Sequence, residues 1–201
     1  MNLLTPIIME SDIEEVEKKL KIIRSNNEQR VHFDIGDGLL TNWYGVTPAD
    51  LQALDLTSLE IDFHLLVDDP TEWIEECVAL DPKRIIGQIE RMGSQELFLQ
   101  TIHDYKQNIE GGLALMIETP IESIDAYALQ LTSVVLLLSV PGGTSGSKFD
   151  MRVINKIKNL REIYTGKILI DGGIDKETQK LVIEAGATEV GENSSYWKGN
   201  L

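Results

Sequence analysis

The sequence is poor in cysteine, aromatic residues and positive charge. Cys77 is the only cysteine among 201 residues, so no disulfide can form within the chain, and a reducing compartment is expected. Lysine and arginine number 18 against 33 aspartate and glutamate, and the formal net charge of −15 opposes binding to nucleic acid and to anionic membrane surfaces. Aromatic residues make up 6% of the chain and hydrophobic residues 42%, which is ordinary for a soluble α/β protein.

Long hydrophobic runs are also missing. The longest strongly apolar stretch, 134–140, is too short to span a bilayer. Residues 1–5 lack the basic region and the apolar region of a secretory signal peptide. We therefore expect a cytoplasmic protein that has neither a nucleic-acid nor a membrane partner.

Short apolar runs alternate with longer amphipathic segments along the whole chain. This pattern is typical of βα units, and the absence of a linker favours one domain over 1–201. Eight units favour a closed (β/α)8 TIM barrel over an open sheet, with the last helix missing or shortened. The predicted strands are 3–9, 30–35, 59–67, 84–89, 112–117, 133–140, 167–170 and 188–191.

Four metal-capable side chains interrupt the ends of these apolar runs. They are His32 and Asp34 in strand two, His64 in strand three and Asp171 at the end of strand seven. Each has a plainer interpretation alone, as a core histidine or as turn chemistry. Because the C-terminal ends of parallel barrel strands converge, the four together predict a site for Zn²⁺, Fe²⁺, Mn²⁺ or Co²⁺, and the sequence does not choose among these metals.

Three loops rich in glycine or serine follow the last three predicted strands, at 140–148, 171–174 and 192–195. Such loops are usually turns, but glycines also allow backbone N–H groups to approach an anion. In parallel barrels the phosphate group of a ligand commonly lies at this part of the rim. We therefore predict phosphate-binding residues here, namely Gly143, Ser145, Gly146, Gly172, Gly173, Asn193 and Ser194.

The order of these motifs resembles the ribulose-phosphate 3-epimerase family over nearly the whole chain. The segments that carry the resemblance are VHFDIGDG at 31–38, DFHLLV at 62–67, GLAL at 112–115 with Thr119-Pro120, the 139–149 loop, IDGGI at 170–174 and AGA at 185–187. The resemblance implies a ribulose-phosphate-binding barrel that interconverts D-ribulose 5-phosphate and D-xylulose 5-phosphate. It implies one divalent metal ion on His32, Asp34, His64 and Asp171, with Asp34 and Asp171 also serving as the catalytic acid and base.

Several positions depart from the family pattern. Methionines that usually cap the metal site are matched by Gly36, Leu66 and Leu138, and a histidine usual after the fourth strand is matched by Gln88. Three alternatives therefore stay open: an epimerase of a ketohexose 6-phosphate, a sugar-phosphate-binding barrel without turnover, and a related phosphosugar lyase or decarboxylase. A lyase or decarboxylase of this kind would need a lysine near the metal, and Lys148 is the only lysine beside these motifs. The sequence also leaves open whether the chain forms a homo-oligomer.

Overall fold

A computed structural model describes residues 4–199, in which eight parallel strands close into a barrel. The strands pair in chain order, and β1 pairs with β8 to complete the circle. They are β1 Leu4–Ile8, β2 Arg30–Gly36, β3 Glu60–Leu66, β4 Arg84–Gln88, β5 Glu110–Leu115, β6 Val134–Leu138, β7 Lys167–Asp171 and β8 Glu189–Glu192. The predicted TIM barrel is confirmed.

The helices lie in the connections between strands. They are α1 Ile13–Ser25, α2 Pro48–Leu51, α3 Ile74–Val78, α4 Gln95–Tyr105, α5 Ala126–Leu131, α6 Arg152–Ile163, α7 Lys176–Ala185 and α8 Ser194–Trp197. The ends of α7 show how local sequence sets the bounds: Asp175 caps the first turn, and Gly186 ends the helix in the left-handed conformation. The four-residue α8 agrees with a shortened last helix. Within 4–199, no helix has the length and apolar character needed to cross a membrane.

The barrel separates two hydrophobic clusters. The larger one lies between the strands and the helices, and the smaller one fills the barrel interior with Leu66, Ile86, Ala114, Val134, Leu136, Leu138 and Leu169. Interior and exterior residues alternate along each strand. An inward-facing side chain near the C-terminal end of a strand therefore lies at that end of the barrel, which we call the upper rim.

Charged side chains from six strands meet at the opposite, N-terminal end of the barrel. Arg84 is fully buried there and donates hydrogen bonds to Glu110 and Glu189, while Arg30 binds Asp62 through two hydrogen bonds. Lys167 adds a further ion pair with Glu110 at 2.7 Å. The sequence analysis did not anticipate this ion cluster, because five of its six members are the first residues of their strands, where charge usually faces water.

The strand bounds differ from the predicted bounds by at most two residues. The helices after β3 and β5 are short. The connection after β3 forms a 3-10 turn, Pro70–Trp73, followed by α3, and the connection after β5 forms a 3-10 turn, Ile121–Ser123, followed by α5. Neither α3 nor α5 has a side-chain cap on its first turn, which removes one device that would extend them.

Candidate active site

Asp34 lies between two histidines inside the upper rim of the barrel. On β2, His32 and Asp34 are two residues apart and point to the same side, and the β2–β3 register places Asp34 directly beside His64. Asp34 Oδ1 is 2.9 Å from His64 Nδ1 and 3.5 Å from His32 Nε2. All three residues are buried, so this inward polar group has little access to solvent.

The donor set fits a divalent metal ion. Ligand atoms of His32, Asp34 and His64 all lie within 4.8 Å of one another. Both ring nitrogens of His32 are buried without a hydrogen-bond partner among the described residues, an arrangement that is costly unless a further group binds there. Nδ1 of His32 lies 4.0 Å from the Asp62 carboxylate, which is beyond hydrogen-bond distance. Two imidazoles and a carboxylate are ligands that Zn²⁺, Fe²⁺ and similar ions accept.

Asp171 is the fourth predicted ligand, and it lies outside this three-residue group. It ends β7, is buried, and lines the same pocket as Asp34. On the shorter way round the barrel, only β8 and β1 separate its strand from β2. The two carboxylates therefore face one cavity from different sides, and the role of Asp171 as a ligand stays a prediction.

The two carboxylates have opposite pKa shifts. Burial acts to raise the pKa of Asp34, but His32 and His64 beside it stabilise the anion, and its pKa falls to about 2. Burial and the negative charge of Asp34 raise the pKa of Asp171 well above its usual range, against a smaller opposing effect from the Gly172 N–H. The pair therefore combines one carboxyl whose surroundings favour the ionised form with one whose surroundings favour the protonated form.

The pocket at this rim contains every residue predicted to bind phosphate. Its lining includes Gly143, Ser145, Gly146, Gly172, Gly173, Asn193 and Ser194 together with Asp34 and Asp171. The glycines at 143, 146, 172 and 173 have positive φ, and a side chain at Gly173 would collide with the backbone N of Phe149 at 2.7 Å. No lysine or arginine is among the lining residues, so an anion here would be held by N–H and hydroxyl groups.

A known protein family matches nearly the whole chain. Residues 3–195 match the model of the ribulose-phosphate 3-epimerase family. The chain belongs to that family. Membership confirms the resemblance seen in the sequence, and with it the predicted enzyme class, an isomerase of the epimerase type.

Curated members of the family cover most of the chain at moderate identity. A ribulose-phosphate 3-epimerase from Chlamydia muridarum is 32% identical over 206 residues, which span 98% of this chain and 88% of the relative. The ribulose-phosphate 3-epimerase of Bacillus subtilis is 28% identical over 189 residues, 90% of this chain and 86% of that one.

Solved structures of other proteins share the fold at much lower identity. A mutant tryptophan synthase α-subunit from Pyrococcus furiosus superposes with a TM-score of 0.69 at 16% identity, covering 97% of this chain and 88% of that one. A structure titled native KDPGal gives a TM-score of 0.61 at 14% identity, covering 96% and 82%. These likenesses support the barrel and carry no argument about activity.

One pocket residue, Met9, was missed by the sequence analysis. Met9 follows β1 and lines the pocket beside Leu66 and Leu138, so a methionine does contact this site, although from a different strand. The ring of Trp43 packs directly against Gly36, since a Cβ at Gly36 would lie 2.4 Å from that ring. Alternation along β1 could have indicated Met9, because it lies two residues after the inward-facing Ile7.

Glu192 is a further buried carboxylate, and it lies at the end of β8. It is 2% exposed, and neither side-chain oxygen has a hydrogen-bond partner among the described residues. Burial and the charge of Asp175 raise its pKa to about 7. In the folded state the neutral form is therefore favoured, and this carboxyl should destabilise the protein as pH rises from its ordinary pKa of 4.5 through 7.

We expect Glu192→Gln to stabilise the protein at pH 8 and to have little effect near pH 5. The amide carries no charge at either pH, so the gain in unfolding free energy at pH 8 should be about 2–3 kcal/mol. Urea unfolding at both pH values measures it. Glu189→Gln on the same strand is the matched control. Burial acts to raise the pKa of Glu189, but Arg84 lowers it overall, so the ionised form stabilises the fold. Glu189→Gln should therefore destabilise the protein at pH 8. An equal gain for Glu192→Gln at both pH values would contradict the explanation by charge.

Proposed function

We propose that the chain is a metal-dependent 3-epimerase that interconverts D-ribulose 5-phosphate and D-xylulose 5-phosphate. Family membership supports a pentose-phosphate epimerase. The observation that carries the finer proposal is the pair Asp34 and Asp171, two buried carboxylates on one pocket with opposite pKa shifts. Inversion at a carbon next to a carbonyl needs a base on one side of that carbon and an acid on the other, and this pair supplies both.

The two carboxylates would exchange one proton each with the substrate. In one direction the ionised Asp34 accepts the proton from carbon 3, and the electron pair moves into an enediolate. Asp171 then donates its proton to the opposite face of the same carbon, which inverts the centre. In the reverse direction Asp171 is the base and Asp34 the acid, as microscopic reversibility requires.

The cofactor of this proposal is one divalent cation, Zn²⁺, Fe²⁺, Mn²⁺ or Co²⁺, held by His32, Asp34, His64 and Asp171. When bound, such a cation polarises the carbonyl next to carbon 3 and stabilises negative charge on the substrate oxygens. The unpartnered nitrogens of His32 and the short His64–Asp34 distance support its place in the site.

The glycine loops after β6 and β7 and the start of α8 would hold the phosphate end of the substrate. Their positive-φ glycines leave the backbone open to a ligand, while the net charge of −15 makes such local donors necessary. A fixed phosphate places carbon 3 between the carboxylates and supplies binding energy away from the reacting atoms. We also propose that the protein acts in the cytoplasm.

The proposal is tested by incubating the metal-loaded protein with D-ribulose 5-phosphate in D₂O. We expect deuterium at carbon 3 together with formation of D-xylulose 5-phosphate, and loss of both after chelation. Parallel reactions use unphosphorylated ribulose and a ketohexose 6-phosphate. Faster exchange with the hexose would favour the sister epimerase, and no exchange with any substrate would support a binding protein without turnover. Full activity in chelator would contradict the metal requirement.

A further inference from the structure

Gln88, at the end of β4, is buried beside His64 and has only one amide orientation that satisfies its surroundings. One end of the amide faces two acceptors, Glu90 Oε2 at 2.8 Å and Ala114 O at 2.9 Å. An oxygen at that end would leave three acceptors facing one another, so the NH₂ group must lie there. The amide oxygen then faces His64 Nε2 at 3.2 Å.

Glu90 is itself held in place, which makes the orientation of Gln88 a fixed feature. Its Oε1 accepts hydrogen bonds from the Met116 N–H at 2.7 Å and from the Thr119 hydroxyl at 2.6 Å. Its other oxygen is thus positioned for the Gln88 NH₂ group. The network runs from the loop after β5, through Glu90 and Gln88, to the ring of His64.

The amide oxygen determines which nitrogen of His64 carries a proton. An oxygen can only accept, so Nε2 must donate and therefore bears hydrogen. In the neutral ring the lone pair of Nδ1 then points towards Asp34 Oδ1, 2.9 Å away. Two electron-rich atoms at that distance repel each other unless a cation lies against both of them, either a second proton, which makes the ring an imidazolium that donates to Asp34, or a metal ion.

A metal ion accounts for this pair of atoms. Nitrogen and oxygen ligands at about 2.0–2.2 Å from one ion are separated by roughly 3 Å. The separation of Nδ1 and Oδ1 agrees with that spacing. The second nitrogen of a metal-binding histidine commonly donates to an oxygen that fixes its tautomer, which is the relation between Nε2 and Gln88.

We infer that Gln88, oriented by Glu90, is a positioning residue that selects Nδ1 of His64 as the metal ligand by holding the proton on Nε2. The inference rests on the proposed function, since it presumes that His64 binds a divalent ion. It assigns a role to a position at which this chain departs from the histidine usual in its family. Gln88 contacts neither the reacting carbon nor the ion, and it acts only through the ring of His64.

The wild-type protein gives the first test. Zn²⁺ is added to protein labelled with ¹⁵N-histidine, and the ring nitrogens of His64 are identified by two-bond ¹H–¹⁵N correlation NMR, with His64→Gln used for assignment. We expect a protonated Nε2 and an unprotonated Nδ1. The opposite tautomer, with Nδ1 protonated, would overturn the inference without needing any variant of Gln88.

The second test compares two variants that carry the same chemical change. Gln88→Met removes the acceptor for Nε2 and is expected to weaken Zn²⁺ binding by about 10- to 100-fold, measured by competition with a chromophoric chelator. Gln95→Met is the matched control, because Gln95 is another buried amide with both ends bound, to Ser123 O at 2.8 Å and Asp125 N at 2.9 Å. It should lose stability without losing Zn²⁺ affinity.

The outcomes separate this inference from the proposed function. If wild-type protein binds no Zn²⁺, the proposed metal site fails and the inference fails with it. If the wild type binds Zn²⁺ but Gln88→Met binds it equally well, only the role of Gln88 is overturned. Equal weakening in Gln88→Met and Gln95→Met would attribute the effect to general destabilisation, and it also counts against the inference.

Discussion

Asp34→Asn and Asp171→Asn are each expected to lower epimerase turnover by roughly 10²–10⁴-fold, the range associated with loss of a general acid or base. Asparagine keeps the shape of the side chain but can neither accept the carbon-bound proton nor donate one as an acid. Both residues are buried at the ends of barrel strands, so the fold should survive the change. Turnover is measured by the rate of D-xylulose 5-phosphate formation.

Proton exchange should separate the two carboxylates in a way that turnover cannot. In Asp171→Asn, Asp34 can still remove and return a proton on its own side, so one epimer should exchange carbon 3 hydrogen with D₂O without inversion. In Asp34→Asn, exchange should persist only with the other epimer. Loss of exchange with the same epimer in both variants, or normal turnover in either, would contradict the two-carboxylate assignment.

Asp37→Asn is the matched control for this experiment. Asp37 lies three residues after Asp34 in the same motif, but its oxygens accept hydrogen bonds from the backbone N–H groups of Leu39 and Asp68. It therefore shapes the loop after β2 and does not line the pocket. We expect Asp37→Asn to exchange carbon 3 hydrogen with both epimers and to retain turnover, although with some loss of stability.

The barrel and the four polar strand ends were predictable because both follow from short-range patterns. Continuous apolar runs separated by amphipathic helices allow few arrangements other than a parallel barrel. In that barrel the strand ends converge by geometry, so His32, Asp34 and His64 meet without any knowledge of distances. The glycine loops were predictable for the same reason, since they follow strands that are neighbours in the circle.

Features that depend on how side chains fill space were not predictable in this way. The packing of Trp43 against Gly36 involves a loop that folds back over its own strand, and no short-range pattern shows that contact. Glu10 forms an ion pair with Lys19 at 2.5 Å and does not line the pocket, and its place next to β1 does not reveal this. The link from Gln88 to Glu90 requires the register and the rotamers together.

The ion cluster at the N-terminal end of the barrel was missed for a related reason. A charged residue at a strand start is normally solvent-exposed, and no pattern along one strand shows that five such residues converge with Asp62. Parallel register places the first residues of β4 and β5 side by side, and β8 joins them across the interior. Arg84 is consequently among the most deeply buried side chains in the described residues, held by charge partners from other strands.

Arg84→Met is expected to lower the unfolding free energy by about 3–5 kcal/mol, the cost of removing one partner from a buried ion pair. Without the guanidinium, Glu110, Glu189 and Asp62 face one another with less positive charge between them. Urea unfolding at pH 7 measures the loss, and Tm should fall by roughly 6–20 °C for a chain of this size.

At acidic pH, the unfolding free energies of the wild type and Arg84→Met should differ less than at neutral pH. In the wild type, burial acts to raise the pKa of Glu110, but Lys167 and Arg84 lower it from 4.5 to about 2. The contribution of Glu110 to stability is therefore present above 4.5 and is lost as pH falls towards 2. In the variant the crowded carboxyls can take up protons at higher pH, which relieves part of their repulsion. The difference in unfolding free energy between the two proteins should therefore be smaller at pH 4.5 than at pH 7.

Arg152→Met is the matched control, because Arg152 also binds two carboxylates, Asp150 and Glu118, but on the protein surface. Water solvates those carboxylates when the arginine is removed, so stability should change little at either pH. A similar loss in both arginine variants would show that ion pairing as such stabilises the chain. A loss confined to Arg84→Met would instead attribute the effect to burial, since Asp62 is buried and Glu110 and Glu189 are only partly exposed to the solvent that would replace the arginine.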